Sequence, residues 1–361
     1  MTRDLLLNQR GSIVIMVVVT IAALLAFAVI AIDGAILMTS KTQLQAAADA
    51  AALAGASGLL WGSEDLATER AMDFSSFNVA VQDNQTPVVI GPGDVTFPEP
   101  DVCRVVTHRT AVTGDAFRTY FVRAIGGSGT ADMTAVAAAR AYDVCSSKCM
   151  KPWAIPDRWD DADGDGVFDE GETYDKDVTG YNAPADVGAQ IVLKVGNPSQ
   201  TPAPGIYYPV NYPPLDNEEG IKPLTGGSWY ETWIADCEPY MIEPGDRLQV
   251  EPGNMVGPTM HGMEDLIAQD PTARWDPGTQ SIVGSAYGKS PRIGLVPFFD
   301  PALGVDSGRK YVTVSKIGAF FIEDVTGGGT VTGRFIQITD HGVPCGTGVS
   351  NSLVKGIVLI Q

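Results

Sequence analysis

The sequence predicts an α+β fold in which one long N-terminal helix precedes a small antiparallel sheet and a mainly β domain. The first observation is an uncharged apolar run, residues 12–32, that continues without a break into an alanine-rich tract. The second is a series of strand-like runs between residues 87 and 144, and the third is a longer series beyond residue 180. We therefore expect three segments: 1–61, 62–144 and 145–361.

The charges of the chain are distributed unevenly. The 361 residues are 45% hydrophobic, which suffices for a core, and 24 Lys and Arg against 43 Asp and Glu give a formal charge of -19. In residues 1–60 the charges cancel, so the acidic excess lies in the remainder of the chain. So acidic a domain argues against nucleic acid and anionic lipid surfaces as partners, and it favours cations as ligands.

Residues 12–32 have the length of a membrane span. The run contains no charge, Pro or Gly, and a helix rising ~1.5 Å per residue crosses the ~30 Å hydrocarbon core of a bilayer over this length. Arg3 and Arg10 precede the run and Asp33 follows it, so the positive-inside rule places the N-terminus inside and the rest of the chain outside. We predict a single-pass anchor.

The alternative for this run is a cleaved secretory signal. The tripeptide Ala26-Phe27-Ala28 resembles a small-residue cleavage site. However, the run exceeds the usual ~7 to 15 residues of a signal's apolar region, and helix-forming sequence continues past it. The uncleaved anchor is therefore favoured.

The tract 41–60 continues the helix in water. It is dense in Ala, Leu, Gln and Lys, which are the best helix formers. Five small or apolar side chains recur at helical spacing and allow close packing: Leu44, Ala47, Ala48, Ala51 and Ala52. The sequence leaves open whether this face packs on its own domain or on a partner helix.

The segment 62–144 combines a short helix with strands. Ser63 is a candidate N-cap for a helix that ends near Asn78. Four strand runs follow: VVI (88–90), CRVVTHRTAV (103–112), AFRTYFVRAI (116–125) and DMTAVAAARAYDV (132–144). A small sheet of this kind would cover the exposed half of the long helix and give a pilin-like α+β module.

The N-terminal stretch RGSIVIMVVVTIAALLAFAVIAIDGAILMTSKTQLQAAADAAALAGA resembles the TadG-like and TadE-like proteins of Tad (Flp) pilus assembly. The resemblance lies in Arg10-Gly11 before the span, Asp33 after it, and the tract from Gln45 to Ala56. It implies a protein of the bacterial cytoplasmic membrane whose helix contacts other pilin-like or Tad pilus-assembly proteins. The protein would remain in the membrane or be incorporated in the pilus or at its tip.

Two departures from related patterns limit this resemblance. Pilin-type precursors processed after a Gly usually carry Glu at the fifth mature residue, and counting from Ser12 that place holds Met16. This argues against prepilin processing and against a role as the major subunit. Many TadG-like proteins also carry a von Willebrand A-type D-x-S-x-S motif, which the sequence lacks.

Residues 161–172, DADGDGVFDEGE, match the calcium-loop pattern D-x-D-x-D-G-x5-E at every fixed position. Gly166 permits the sharp turn, and Ca2+ is the expected occupant because the donors are hard oxygens at alternate positions. Pro152 and Pro156 argue against flanking helices, so a single stiffened loop is expected. The alternative is a solvated acidic loop that binds nothing. The predicted ligands are Asp161, Asp163, Asp165, Val167 through its carbonyl, Asp169 and Glu172.

Five cysteines lie in the exported part: Cys103, Cys145, Cys149, Cys237 and Cys345. Export favours disulfides, but the sequence does not determine their connectivity. The candidate pairs are Cys145 with Cys149, and Cys237 with Cys345. A zinc site is disfavoured because none of the three His residues lies at ligand spacing from a Cys pair.

The segment 180–361 is expected to be a sandwich or an irregular barrel. A hairpin is expected around Gly327-Gly328-Gly329, and one helix over residues 263–270. The strand runs are QIVLKV (190–195), GIYYPV (205–210), RLQVE (247–251), RIGLVPFF (292–299), KYVTVSKIGAFFIE (310–323), TVTGRFIQI (330–338) and LVKGIVLIQ (353–361).

The sequence predicts a structural role and no enzyme. The metalloprotease, nucleophile-elbow and phosphate-loop motifs are absent from it. We therefore expect a pilus-assembly factor or a minor or tip subunit with a calcium-stabilised β domain. One alternative is an adhesive or ligand-binding module, for which four aromatic residues form either a sugar-stacking surface or core: Trp229, Tyr230, Trp233 and Tyr240. A hydrolase using His261, Asp265 and a Ser is a third hypothesis.

Overall fold

The computed structural model describes residues 10–60, 62–80, 86–193, 208–303, 311–345 and 352–360. The chain divides into two compact units. Unit 1 comprises Met1–Arg140 with Val358–Gln361, and unit 2 comprises Ala141–Ile357. Parts of the predicted strands, residues 194–195, 205–207, 310 and 361, lie outside the described residues.

The elements up to the end of unit 1 are α1 (Arg10–Leu59), α2 (Glu64–Ser76), β1 (Val79–Ala80), β2 (Thr86–Pro87), β3 (Val95–Glu99), β4 (Val102–Arg109), β5 (Phe117–Arg118), β6 (Thr130–Ala131) and β7 (Met133–Ser146). Short 3-10 turns cover Pro92–Asp94 and Val122–Ile125. Strand β7 begins in unit 1 and ends in unit 2.

The elements that follow are β8 (Trp153–Pro156), β9 (Gln190–Val192), β10 (Tyr208–Asn211), α3 (Gly227–Ala235), β11 (Arg247–Val250), α4 (Val256–Gln269), β12 (Arg274–Asp276), β13 (Ser281–Val283), β14 (Ile293–Phe299), β15 (Tyr311–Thr326), β16 (Thr330–Phe335), β17 (Ile338–Thr339), β18 (Val343–Pro344) and β19 (Val354–Ile360). The predicted long apolar helix followed by a mainly β domain is confirmed.

Helix α1 is continuous over 50 residues, because neither Gly nor Pro interrupts its apolar half and alanine dominates the rest. Helix α2 begins at the predicted N-cap, where the Ser63 side chain accepts the Leu66 N–H at 3.1 Å. The two helices approach closely at Gly55 and Gly58, where an added Cβ would meet Ala71 and Ala67. Gly58 meets Ala67 and Gly55 meets Ala71, so the residue numbers decrease along α1 as they increase along α2. The two helices therefore run antiparallel.

The sheet of unit 1 covers the alanine-rich half of α1. Strands β3, β4 and β7 pair antiparallel, with Arg104 opposite Ala138 in the β4–β7 ladder. The Thr107 hydroxyl donates to the Leu44 carbonyl at 3.0 Å, and the Gln45 amide donates to the Val136 carbonyl at 3.0 Å. The predicted small antiparallel sheet therefore covers the half of α1 that follows the apolar run, as expected from the sequence.

Two strand predictions in unit 1 are wrong. The run 88–90 has no strand assignment; β2 ends at Pro87 just before it. In the run 116–125 only β5 is extended, and the chain then enters the 3-10 turn Val122–Ile125. The reason is a carboxylate distant in sequence, that of Asp33, which binds backbone N–H groups of this run.

Five strands of unit 2 close into a ring. The order β11-β10-β8-β14-β15 returns to β11, since β11 pairs with both β10 and β15. The β8–β14 pair is parallel and the other four are antiparallel. Strands β16 and β9 continue outward from β15, and the expected hairpin between β15 and β16 is confirmed. Of the two predicted architectures, this is the irregular barrel.

Alternation along the barrel strands separates two apolar layers. Phe299 and Phe321 belong to one cluster with Tyr208 and Leu248, whereas Phe298 and Phe320 face the other. Residues from α3 and α4 pack on the second layer: Tyr230, Ile234, Met263 and Leu266. Helix α4 contains the predicted segment 263–270 almost entirely but begins earlier, at Val256.

The disulfide pairs differ from the candidate pairs. Cys145 is bonded to Cys345 and Cys149 to Cys237, with Cα–Cα distances of 4.8 and 4.4 Å. Strand β18 pairs with the end of β7, and the Cys345 N–H donates to the Asp143 carbonyl at 2.9 Å, which places Cys345 beside Cys145. The Cys149 N–H donates to Glu238 O at 3.1 Å, next to Cys237. Cys103 is a free, buried thiol.

Candidate functional site

The first half of α1 presents an exposed apolar surface. Leu24 is 63% exposed and Phe27 is 74% exposed, in contrast to fully buried alanines further along the same helix. Within the part of the chain that is described, this is the one helix long and apolar enough to cross a membrane. Water disfavours such a surface, so an anchor in lipid accounts for its exposure.

The second half of α1 is packed within unit 1. The face predicted from the spacing is confirmed as buried, since each of its five residues is 0% exposed: Leu44, Ala47, Ala48, Ala51 and Ala52. Their small side chains let α2 and β4 approach the helix backbone. Of the two alternatives for this face, packing on its own domain is the one observed. A partner would therefore contact other faces of the helix.

Asp33 joins the two halves of α1 to the rest of unit 1. Its carboxylate is 2% exposed and accepts three consecutive backbone N–H groups, from Tyr120 at 3.1 Å, Phe121 at 2.9 Å and Val122 at 2.7 Å. Hydrogen bonds to a charged acceptor are stronger than neutral ones, so this buried carboxylate is well compensated. These three N–H groups bind Asp33 and are therefore not available for the strand pairing that was predicted over 116–125.

The predicted calcium loop brings three of its six proposed ligands together. The carboxylates of Asp161, Asp163 and Asp165 have oxygens that lie within 4.8 Å of one another. Gly166 has φ 73°, in the left-handed region that the predicted sharp turn requires. Hard carboxylate oxygens at this separation suit Ca2+ better than zinc, which prefers nitrogen and sulfur. The donor set therefore fits calcium.

The remaining proposed ligands lie on the returning arm of the loop. Glu172 accepts the N–H groups of Ala162 and Asp169, each at 3.1 Å, so its carboxylate reaches across the loop. Asp169 accepts the Glu172 N–H through its backbone carbonyl at 3.4 Å, and Val167 donates its N–H to Asp165 at 2.7 Å. The three residues lie outside the cluster of converging carboxylates.

The base of the acidic loop is fastened to the barrel, a feature that the motif did not reveal. The Asp160 N–H donates to Thr173 O at 3.0 Å and closes the loop. Tyr174, directly after it, donates its hydroxyl to the fully buried Asp157 at 3.0 Å. Lys316 of β15 lies 2.8 Å from the same carboxylate oxygen. The base of the loop is therefore linked through Asp157 to strand β15 of the barrel.

The aromatic group around α3 belongs mainly to the core. Tyr230 is 0% exposed and its hydroxyl accepts the Trp153 Nε1–H at 2.9 Å, while Trp233 is 3% exposed. Trp229 is 46% exposed and Tyr240 is partly buried. The packing alternative therefore describes Tyr230 and Trp233, whose buried rings are not available for stacking on a sugar.

The residues considered for a hydrolase lie on an open helix face. His261 and Asp265 are both exposed on α4, one turn apart. The His261 Nδ1 lies 3.6 Å from Glu231 Oε2, in an exposed ion pair. This arrangement offers neither burial nor a neighbouring Ser in hydrogen-bond reach among the described contacts, and it lends no support to nucleophilic catalysis.

Comparison with known proteins matches the anchor helix alone. Residues 11–58 match the family model described as "Putative Flp pilus-assembly TadE/G-like". This confirms the resemblance seen in the sequence, over the segment that forms α1. No curated protein matches the chain. No solved structure matches it either.

Proposed function

We propose that the protein is a membrane-anchored, extracytoplasmic component of Tad (Flp) pilus assembly, acting as an assembly factor or as a minor or tip subunit. The observation that supports this is the family match over residues 11–58, which covers both the exposed apolar half of α1 and its alanine-rich half. The family supports a pilus-assembly role with pilus-assembly partners. The position within the assembly is our proposal.

The proposed topology places unit 2, and the part of unit 1 that follows the apolar run, outside the cytoplasmic membrane. Arg10 precedes the apolar run and Asp33 ends it, which follows the positive-inside rule. Two disulfides in unit 2 agree with an oxidising compartment. Partners in the bilayer would contact the exposed apolar half of α1, because α2 and the sheet of unit 1 cover the alanine face.

The test is the mature N-terminus, determined by mass spectrometry on membrane fractions and on sheared filaments. A chain that keeps the residues before Ser12 and stays in the membrane identifies an assembly factor. A chain that begins at Ser12 and occurs in filaments identifies a processed minor subunit, despite Met16. Recovery in neither fraction, with normal piliation in a deletion strain, would overturn the proposed role.

We further propose that the loop 161–172 binds one Ca2+ and thereby stabilises unit 2. Asp161, Asp163 and Asp165 would supply the carboxylate oxygens, and Glu172 would close the site after releasing its two N–H donors. The proposal is supported by the match to the motif, by the convergence of the three carboxylates and by the fastening of the loop to Asp157. Sites of this kind outside cells bind at roughly 10⁻⁴ to 10⁻³ M.

The calcium proposal is tested by thermal unfolding of the full chain in detergent. At a Ca2+ concentration of about 100 times the dissociation constant, binding stabilises the folded state by about 2.7 kcal/mol, so the melting temperature rises and EDTA reverses the rise. Asp163→Ala, which removes a ligand oxygen, should abolish the increase, whereas the exposed Glu219→Ala, outside the loop, should retain it. An equal response of both variants would rule out a site in this loop.

A further inference from the structure

The segment from Phe117 to Ala131 forms a distinct surface of unit 1, which we name the collar. It comprises β5, the 3-10 turn and β6, with β5 and β6 paired antiparallel. Tyr120 is 45% exposed and Phe121 is 41% exposed, and Arg118 and Arg123 are exposed beside them. The collar thus combines two half-exposed aromatic rings with two cationic side chains.

The collar lies at the level where α1 leaves the apolar run. Residues 12–32 rise about 31 Å as a helix, which fills a hydrocarbon core of about 30 Å, so Asp33 falls in the polar layer above it. Tyr120 and Phe121 donate their backbone N–H groups directly to Asp33, at 3.1 and 2.9 Å. Their backbone must therefore occupy the same layer as the Asp33 carboxylate.

The charge of the collar is opposite to that of the chain. Residues 116–131 contain two Arg and neither Asp nor Glu, in a protein of formal charge -19. The flanking acids are engaged in turns: Asp115 accepts the Thr110 N–H at 3.1 Å, and Asp132 accepts the Ala111 N–H at 2.7 Å. The argument against anionic lipid, which rests on the acidic excess of the exported part, therefore does not extend to this segment.

Aromatic rings and long cationic side chains are the groups that membrane interfaces favour. Tyr is enriched at the headgroup level, and Arg extends its guanidinium toward phosphates while its stem stays on apolar surface. We propose that the collar docks on the headgroup layer of the membrane that holds α1, with Tyr120 and Phe121 inserted and Arg118 and Arg123 on anionic phosphates. This inference rests on the proposed membrane anchoring.

The test uses the full chain in phospholipid vesicles, with a fluorophore on Phe121→Cys and a quencher carried by the lipid. The matched control is Phe77→Cys, which replaces the same residue type at a more exposed position, 77%. Ala71 of α2 packs on Gly55, which lies about 33 Å along α1 from Asp33. Since α2 runs back toward Asp33, Phe77 lies about 9 Å nearer, at about 24 Å from the level of Asp33. Labelled wild type serves as the blank, because Cys103 is buried.

The expected result is quenching at position 121 several times that at position 77. Equal quenching at the two positions would overturn the inference. A label at position 121 that neither aqueous iodide nor the lipid quencher quenches would overturn it as well. The latter result would assign the surface to a second copy or to another protein. Flotation of the same samples with the vesicles separates the proposed anchoring from the proposed docking. If the chain floats without quenching at position 121, docking of the collar is refuted and anchoring is not. If the chain does not float, both are refuted.

A second arm tests the charges without the label at 121. In vesicles containing anionic phosphatidylglycerol, hydrogen exchange at the backbone amides of the collar should be slower than in zwitterionic vesicles. The double variant Arg118→Gln with Arg123→Gln should lose this difference, since each cation near an anionic surface contributes about fivefold to docking. The double variant Arg70→Gln with Arg104→Gln, also in unit 1, provides the control. An unchanged lipid dependence would overturn the role of the arginines.

Discussion

The Asp33 carboxylate fixes a turn that is distant in sequence. Because it accepts the N–H groups of Tyr120, Phe121 and Val122, removing it leaves three donors without their acceptor. We predict that Asp33→Ala speeds hydrogen exchange at these three amides, measured by mass spectrometry on the full chain. The exposed Asp73→Ala, on α2, should leave them unchanged. Equally protected amides in both variants would contradict this account of the turn.

Glu238 makes the stability of unit 2 depend on pH. Its side chain is 0% exposed, and burial raises the pKa of the carboxyl to about 7, against the lowering effect of the N–H groups of Met150 and Tyr240. The folded state therefore binds the proton more tightly than the unfolded state. The protonated Glu238 therefore contributes about 3 kcal/mol to the free energy of unfolding below pH 4.5. This contribution is lost as the pH rises toward 7.

We predict that Glu238→Gln, which cannot ionise, flattens the decline in the free energy of unfolding between about pH 4.5 and 7. Chemical denaturation at several pH values measures the slope. The comparison with wild type is needed because burial also raises the pKa of Asp246, to about 6, in the same direction. Lys151 does not interfere, since burial lowers its pKa only to about 8. Identical slopes would show that Glu238 ionises normally.

The contact between α1 and α2 depends on two glycines. A Cβ at Gly58 would lie 2.5 Å from the Ala67 Cα, so the helices must separate to accommodate it. We predict that Gly58→Ala lowers the free energy of unfolding by about 1 to 3 kcal/mol, because overpacking outweighs the gain in helix propensity. Thermal unfolding in detergent measures the loss. In Gly34→Ala the new Cβ meets nothing within 4 Å, so stability should hold or rise slightly.

The elements that the sequence predicted well are those with strong local signals. The N-cap at Ser63 and the hairpin between β15 and β16 follow from capping and turn chemistry, which act over a few residues. The strand expected over 116–125 failed because Asp33, more than 80 residues away, binds its N–H groups. Helix α3 was missed because its N-terminus lacks a side-chain cap; it begins after Gly226.

Parts of the candidate site were visible in the sequence for the same reason. The acidic loop is one contiguous motif, and the convergence of Asp161, Asp163 and Asp165 follows from their alternate spacing. The buried support beneath it was not visible, because Asp157 and Lys316 meet only through the barrel. Nor could the sequence choose between a partner helix and the chain's own sheet as the cover of the alanine face.

At the scale of the whole molecule, two disulfides close long loops in unit 2. They span 200 and 88 residues, and such bridges typically contribute about 2 to 5 kcal/mol each. We predict that reduction lowers the melting temperature of the chain. Non-reducing peptide mapping should link Cys145 to Cys345 and Cys149 to Cys237.

The free thiol offers an independent check of this pairing. Burial raises the pKa of Cys103 to about 12, so it should resist alkylation in the folded chain. One thiol per chain should react after unfolding without reductant. A Cys145–Cys149 peptide, or three reactive thiols, would contradict the described connectivity.

The continuity of α1 has a mechanical consequence. Its 50 residues form a rod about 75 Å long, in which the apolar and alanine-rich halves share one uninterrupted backbone. Where the two halves meet, the helix is uninterrupted and Asp33 binds the backbone of the collar. A tilt of the span would therefore be transmitted along the same helix to the rest of unit 1. In the proposed topology, an assembly machine that tilts the span would thereby change the orientation of the extracytoplasmic part of unit 1.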